Sequence, residues 1–424
     1  MLLEFTCANF RSINHKCTLS LRAQGIADEP KNNVFQINKN AKVLKTAALY
    51  GANSSGKTNV VKAFLAMIYQ VVESVRLNPG EKLRFEPFRL TTVQNNPTFL
   101  EAVFIVDNTT YRYGFEYNES MILGEWLYSS SVGGKREKCL FIRTEEGIGV
   151  NENTFSEGVG KEVNTDDNRL FLSLCAQLGG DISKSIITKF QSMNAISGIE
   201  SRGYSAYSKA MLHTHSEGYD SAVKFFDRVQ LGFDSIETKE EDFDESDLPQ
   251  DMPSELKESI VNQFRGKKRI LLFSKHNVYN KNGKVVGYTI FDIDEESEGT
   301  KKLIELSGPI FDTLANGKVL WIDELDAKMH PLISNHIVDL FNNPKTNPHN
   351  AQLIFSTHDT HLLSSKLLRR DQIWFTEKDK MEQTDLYNMM DIELPDGSKP
   401  RSDSNYERNY IAGRYGAVPF ILND

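Results

Sequence analysis

The stretch from Val43 to Thr58, VLKTAALYGANSSGKT, decides the fold. Its first half is a short apolar run that predicts a strand ending at Tyr50, and Gly51-x-x-x-x-Gly56-Lys57-Thr58 follows at once. Beyond it, apolar residues recur at Val60, Val61, Phe64, Met67, Ile68, Val71, Val72 and Val75, the spacing of an amphipathic helix. Strand, glycine-rich loop and helix in that order make a phosphate loop. The glycines let backbone N–H groups converge on phosphate oxygens at a helix N-terminus, where the helix dipole favours negative charge. Lys57 then supplies a point charge to the β and γ phosphates, and Thr58 offers its hydroxyl to Mg²⁺.

Working outward, the acids such a loop needs lie far downstream in KVLWIDELD, Lys318 to Asp326, where an apolar strand delivers Asp323 and Glu324 at its C-terminal end. Ligands of parallel sheets bind at that end. Asp323 is the candidate for Mg²⁺, directly or through water, and Glu324 for polarising the attacking water. Alone, an acid pair after a strand is also an ordinary helix cap; the loop at Gly51 selects the site reading. A second apolar strand ends in Ser356-Thr357-His358-Asp359, which puts His358 where it can sense a γ-phosphate. Glu296-Ser297-Glu298-Gly299-Thr300 lies 26 residues before Asp323, counted from Ser297, and opens a helix. It reads either as a second phosphate-facing helix start, filled by the nucleotide of another subunit, or as a plain capping motif.

The remaining chain organises around these motifs. Leu3, Phe5 and Cys7 alternate with polar neighbours, and a second alternating run spans Cys17 to Arg22, so two paired strands open the sequence. From Phe99 to Arg143, Thr, Tyr, Phe and Val alternate between turn signals at Asp107-Asn108, Asn118-Glu119 and Gly133-Gly134, which predicts antiparallel hairpins. Helical periodicity at Leu170–Leu178 and Ala222–Val229 predicts a mostly helical insertion over 168–265, with the acidic run Glu240 to Asp247 as a solvated loop. Strands and helices then alternate from Ile270 to Ser356, the pattern of a mainly parallel sheet. The expected organisation is therefore an α/β P-loop NTPase in three parts: 1–167 with the phosphate loop and antiparallel strands, the helical insertion 168–265, and 266–424 with the acids and His358.

Composition bounds the function. The chain has 424 residues, 39% hydrophobic and 25% charged, enough apolar surface for a core. Its formal charge of −9 excludes a uniformly basic nucleic-acid coat, though not a local basic groove. The most apolar stretch, Val60 to Val75, is interrupted by Lys62, Gln70 and Glu73, so no membrane span is expected; with no signal peptide evident, the expected compartment is the cytoplasm. Cys7, Cys17, Cys139 and Cys175 have no metal-ligand spacing and read as reduced structural thiols. The C-terminal Tyr406, Arg408, Tyr410, Arg414 and Tyr415 suit either a partner contact or packing of the terminus on the core.

Asn9-Phe10-Arg11-Ser12, the Gly51 loop, Ser297-Glu298-Gly299-Thr300, Asp323-Glu324, Asp326 and His358 together resemble the ATPase heads of the ABC/SMC class, which includes RecF and the OLD-family ATPases. Asp326-x-x-x-His330-Pro331 and the ending from Asn405 to Pro419 are similar to a narrower group, the RloA/AbiL-type ATPases of bacterial abortive-infection and phage-defence operons. The resemblance implies that Gly51, Asn53, Ser55, Gly56, Lys57, Thr58 and the adjoining Asn59 cradle ATP, that Asp323 and Thr58 serve Mg²⁺, and that Glu324 is the general base. It further implies that Ser297 and Gly299 meet the γ-phosphate held by a second subunit, with Asp326 at that interface, His358 as the switch and Arg11 near the nucleotide. Gln177 is a candidate for the glutamine that joins the two lobes. A homodimer or higher oligomer follows, with a neighbouring-gene effector such as a Toprim-like nuclease as partner. The leading expectation is an ATPase whose ATP-driven dimerisation controls that effector in anti-phage defence; the alternative is a RecF-like ATPase that clamps DNA, so nucleic acid stays a candidate ligand. Absence of a transporter signature argues against a transporter subunit.

Overall fold

The computed structural model describes residues 1–92, 96–201, 203–243, 252–254, 257–258, 261, 266, 268–394 and 396–419. They form two compact units: Met1–Ile199 with Asn316–Ala327 and Pro331–Asp424, and Glu200–Ala315 with Lys328–His330.

Among the described residues the first unit contains three sheets, the smallest being the antiparallel pair β3 (Val34–Asn38) and β4 (Ala41–Leu44). The opening strands β1 (Leu2–Ala8) and β2 (Cys17–Ser20) pair antiparallel, as their alternation predicts, in a sheet of order β10-β9-β8-β7-β6-β1-β2 among the described residues. Its long strands are β6 (Thr98–Val106), β7 (Thr109–Tyr117), β8 (Ile122–Ser131) and β9 (Lys138–Thr144), with β10 (Gly147–Val150) at the edge. The β6–β7 turn places Asp107 and Asn108 both at positive φ, the tight hairpin geometry those residues tolerate.

The second sheet carries the site. Strands β5 (Thr46–Tyr50), β15 (Val319–Asp323), β16 (Gln352–Ser356) and β17 (Ile373–Lys378) run parallel in the order β15-β16-β5-β17, and β18 (Thr384–Asn388) closes one edge antiparallel. Helix α1 (Lys57–Glu73) buries Val60, Val61, Ala63, Phe64, Met67 and Val71. Phe64 stacks on Trp321 of β15 at 4.6 Å between ring centres and meets Phe5 of β1 edge-on at 5.2 Å. One helix thus ties the phosphate loop to the acid-bearing strand and to the antiparallel sheet, with each aromatic pair adding about 0.5–1.5 kcal/mol beyond its buried area. Gln352, fully buried, joins the sheets as well: its side chain accepts from Leu2 N–H (2.7 Å) and donates to Leu2 O (2.9 Å).

The second unit contains the helices Ser205–Thr214 and Tyr219–Val229, most of Glu298–Asn316, and a sheet of three strands, β12 (Ser235–Asp242), β13 (Lys268–Tyr279) and β14 (Val285–Asp292). Two sequence-based expectations change here. Residues 168–199 pack in the first unit, and β11 (Met193–Ser197) within them is the edge strand of the parallel sheet beside β15. Five residues with two polar members show no periodicity to read. Glu240, Glu241 and Asp242 are strand residues of β12 and not a loop; the facing Lys268 and Arg269 of β13 pair with Glu240 (3.1 Å) and Glu241 (3.5 Å), so cross-strand charge pairing offsets their low strand preference. The rest of that acidic run, from 244, and the expected boundary at 265 lie outside the described residues.

Candidate functional site

The parallel sheet delivers three motifs to the C-terminal ends of adjacent strands: the glycine-rich loop after β5, Asp323-Glu324 after β15 and His358 after β16. The loop is shaped by its surroundings. Ser55 Oγ and Thr376 Oγ1 hydrogen-bond at 2.6 Å, and a Cβ at Gly51 would lie 2.5 Å from both side-chain oxygens. Gly56 caps α1 at φ +113°, and a Cβ there would overlap the Thr384 side chain, so both position and conformation demand glycine. Four polar groups brace the first turn: Asn59 Nδ2 donates to Ser12 Oγ (2.6 Å), Ser12 bonds Thr384 Oγ1 (2.7 Å), and Thr384 donates to the Ser55 carbonyl (2.9 Å). Asn59 therefore acts on the loop's support, while Asn53 is exposed and faces the open pocket beside the loop.

Lys57 is buried, its Nζ donating to the Gly51 carbonyl (2.7 Å) and the Ala52 carbonyl (3.2 Å). Burial lowers its pKa below the ordinary lysine value, and the negative charges of Asp323, Glu324 and Asp326 act in the opposite direction. A triphosphate entering here meets an ammonium held by neutral carbonyls alone, which it can out-compete. Thr58, at the first turn of α1, is half-buried.

The acids are fixed by one serine. Ser356 Oγ donates to Asp323 Oδ1 (2.6 Å) and accepts from the Glu324 N–H (2.8 Å). Glu324 sits at φ +59°, a left-handed conformation costing a non-glycine residue about 1–3 kcal/mol, which surrounding contacts must hold. Gly198 provides the space: a Cβ there would collide with the Glu324 carbonyl, and the Gly198 N–H donates to Asp323 O (2.6 Å). Asp326 accepts from the His358 N–H through both carboxylate oxygens (3.3 Å each) and so fixes the loop that presents the exposed His358 ring. Among the described residues no group of three or more His, Cys, Asp or Glu side chains is disposed to hold a metal. Thr58 and Asp323 are hard oxygen donors, the kind Mg²⁺ takes one or two of when phosphates and water complete its shell.

Ser297 and Gly299 lie in the second unit, at the start of the helix Glu298–Asn316. The Ser297 hydroxyl accepts from the Thr300 N–H (3.2 Å), the capping arrangement that was the plainer reading. Glu298 pairs with Lys301 (2.6 Å) and Lys328 (2.8 Å), whose hydrogen bonds hold its carboxyl well below its usual range, at about 2. Arg11 belongs to the β1–β2 loop whose Ser12 braces α1, but its guanidinium pairs with Glu86 (2.5 Å). Gln177 is exposed at the C-terminal end of the helix Phe171–Gln177.

The fold brings the C-terminal segment to the site. An open pocket of about 850 Å³ beside Gly51–Ser55 and His358 is walled by Glu377 and Lys378 at the end of β17 and by Tyr410, Ile411, Ala417 and Val418 of the C-terminal segment. The rings of Tyr406, Tyr410 and Tyr415 are buried; Tyr410 stacks on Phe375 (5.6 Å) and the Ala417 N–H donates to Glu377 Oε2 (3.3 Å), so packing accounts for the tyrosines, while Arg408 and Arg414 remain exposed. Thr360, two residues past His358, donates its hydroxyl to Glu407 Oε1 (2.8 Å), linking the His358 loop to the terminus. Ser356 was in view beside His358; for Gly198, Thr376 and Thr384 no local signal existed.

No helix among the described residues is long and apolar enough to cross a membrane. Comparison with curated proteins gives no match. Solved structures similar to this chain include an Smc head bound to the C-terminal winged-helix domain of ScpA, at 12% identity and TM-score 0.37 over 91% of this chain and 97% of that one. A second is the Smc head domain with an extended coiled coil, bound to the C-terminal domain of ScpA derived from Pyrococcus furiosus, at 11% identity and TM-score 0.34 over 91% and 96%. A third is the recombination mediator RecF with ATP, at 13% identity and TM-score 0.29 over 84% and 93%. A family model matches residues 47–149 and 200–364, more than half of the chain and with the phosphate loop, the acids and His358 all inside it, so the chain belongs to the ATPase family described as "AAA domain, putative AbiEii toxin, Type IV TA system".

Proposed function

We propose that this protein is a Mg²⁺-dependent ATPase whose ATP-bound state is a homodimer, and that dimerisation controls a partner effector in anti-phage, abortive-infection defence. The observation that carries the ATPase reading is the convergence of Lys57, Asp323, Glu324 and His358 at the ends of β5, β15 and β16, with Ser356 orienting both acids. Thr58 and Asp323 would hold Mg²⁺, which would supply charge neutralisation on the β and γ phosphates when bound. Lys57 binds phosphate, Glu324 orients and deprotonates the attacking water, and His358 reads the γ-phosphate from a loop fixed by Asp326. Ser297 and Gly299 meet that phosphate from the second subunit. The family's description as a toxin of a toxin–antitoxin system supports a role in which the switch releases or restrains a toxic activity. A nucleolytic step, where one exists, is assigned to a partner such as a Toprim-like protein.

Sedimentation of Glu324→Gln with and without ATP tests the dimer, and pull-down of the neighbouring gene product in the same two states tests effector control. ATP-dependent association with altered effector capture, and loss of phage protection in Lys57→Ala cells, are the expected results. Hydrolysis first-order in enzyme with no association at any concentration overturns the dimer. Salt-sensitive, ATP-dependent DNA binding without any partner transfers the protein to the RecF-like alternative.

A further inference from the structure

The second unit's three-stranded sheet has two dissimilar edges. One, β12, is guarded in the usual way: Glu237, Lys239, Glu240, Glu241 and Asp242 line it, and charges on an edge discourage pairing with another chain. The other, β14, is an eight-residue strand with a strand neighbour on one side alone among the described residues, and it is apolar. Val286 and Tyr288 are 61% and 62% exposed and Ile290 is 44% exposed. Tyr288 and Ile290 share a face by strand alternation, while Val286 is the extra residue of a β-bulge against β13. Lys275 on β13 reaches across to the Tyr288 ring (4.2 Å), which covers little of it. A long, exposed, apolar edge is what soluble proteins avoid unless something pairs with it.

The order of charges along β14 selects the occupant. Lys281 and Lys284 precede the strand, and Asp292, Asp294 and Glu295 end it. An antiparallel copy of the same strand sets each basic start against the other's acidic end; a parallel copy sets like against like. Two-fold, self-complementary contacts of this type are the commonest way that identical subunits meet. With Tyr288 at the two-fold axis, Ile290 and the acidic end of each copy lie toward the bulged, basic start of the other, so the apolar contact and the charge order call for the same antiparallel pairing.

We propose that β14 is a nucleotide-independent self-association edge, through which two copies of this chain pair antiparallel and join their three-stranded sheets into one of six strands. This interface is independent of the ATP-driven dimer, and combined with it would build assemblies larger than two.

The test is sedimentation of the full chain in EDTA without nucleotide, from micromolar to submillimolar concentration. The wild type should form a reversible dimer, and Tyr288→Lys with Ile290→Lys should weaken it roughly tenfold or more. Two further chains decide the register: one with Lys281→Glu and Lys284→Glu, the other with Asp294→Lys and Glu295→Lys. Each alone should be monomeric, and their equimolar mixture should recover the dimer, because opposite ends then meet. Circular dichroism and ATP turnover confirm that each variant folds. A wild type that stays monomeric throughout overturns the proposal, as does a dimer that survives Tyr288→Lys with Ile290→Lys or a mixture of folded charge variants that fails to associate.

Discussion

Two helices of this chain begin at residues suited to phosphate, and they are built in opposite ways. Helix α1 starts at Lys57 behind a glycine in left-handed conformation, with no side-chain cap and no acid in its first turn, and Lys57 and its neighbours Ser55 and Gly56 are buried. Its first N–H groups are therefore left for a ligand, in a frame that Thr376 and Thr384 hold rigid. The helix at Glu298 caps itself with Ser297, carries Glu298 in its first turn, and exposes both. An acid near a helix N-terminus already satisfies the dipole. The difference teaches that an uncapped, buried helix start and a capped, exposed one look alike in sequence: Gly51–Thr58 leaves its N–H groups open, whereas Ser297, in the composite site proposed above, would have to give up its bond to Thr300 to receive an anion.

The largest effect should come from emptying the phosphate loop. Lys57→Ala should abolish ATP turnover and calorimetric ATP binding while leaving circular dichroism unchanged, because the buried ammonium is the loop's one formal charge on phosphate. Retained binding would mean that the loop amides suffice and that the contrast between the two helix starts is weaker than drawn. Glu324→Gln should keep ATP affinity and slow hydrolysis by about 10²–10⁴-fold, the usual range for losing a positioned base. A wild-type rate in that variant removes Glu324 from the role.

Ser297→Arg sharpens the comparison from the other side. It should leave nucleotide affinity of the isolated chain nearly intact, since the phosphate loop is untouched, but prevent ATP-dependent association and turnover. Unchanged turnover would return Ser297 to being a cap and nothing more. A smaller effect is expected at Glu407→Ala, which removes the acceptor for Thr360 behind His358. Loss of one hydrogen bond to a carboxylate, about 1.5–3 kcal/mol at most, should lower kcat several-fold with ATP affinity preserved, and Glu407→Gln should restore most of it.

The smallest effect concerns the exposed helix start. Hydrogen bonds from Lys301 and Lys328 hold the Glu298 carboxyl near 2, below its ordinary 4.5. A carboxyl whose folded value is depressed contributes stability that is fully present above 4.5 and is lost as pH falls from 4.5 toward 2. A carboxyl NMR titration of Lys328→Ala should show Glu298 moving back toward 4.5; an unmoved titration would assign the shift to Lys301 alone.

Much of this site was legible because its parts are short and local. The phosphate loop needs its residues at fixed offsets, and the helix after it announces itself through Val60, Phe64, Met67 and Val71. Asp323-Glu324 and His358 were legible because each ends an apolar run. Less legible were elements whose reason is a partner far away in sequence. β11 is a strand because β15 lies beside it, and Glu240 to Asp242 are in a strand because Lys268 and Arg269 face them.

By itself, then, the sequence determined the chemistry on offer: a phosphate loop, two adjacent acids, a histidine, and strands and helices in alternation. Those features depend on residue type and on spacings of two, three or four along one chain segment, which local geometry translates directly. Tertiary structure alone decided that Ser356 bonds both acids, that Gly198 must lack a side chain, that Thr376 and Thr384 shape the loop, and that Tyr410 walls the pocket. Each of these depends on which strands become neighbours in the sheet, and that order is set by the burial of whole faces such as Phe64 against Trp321, a property that no single segment carries.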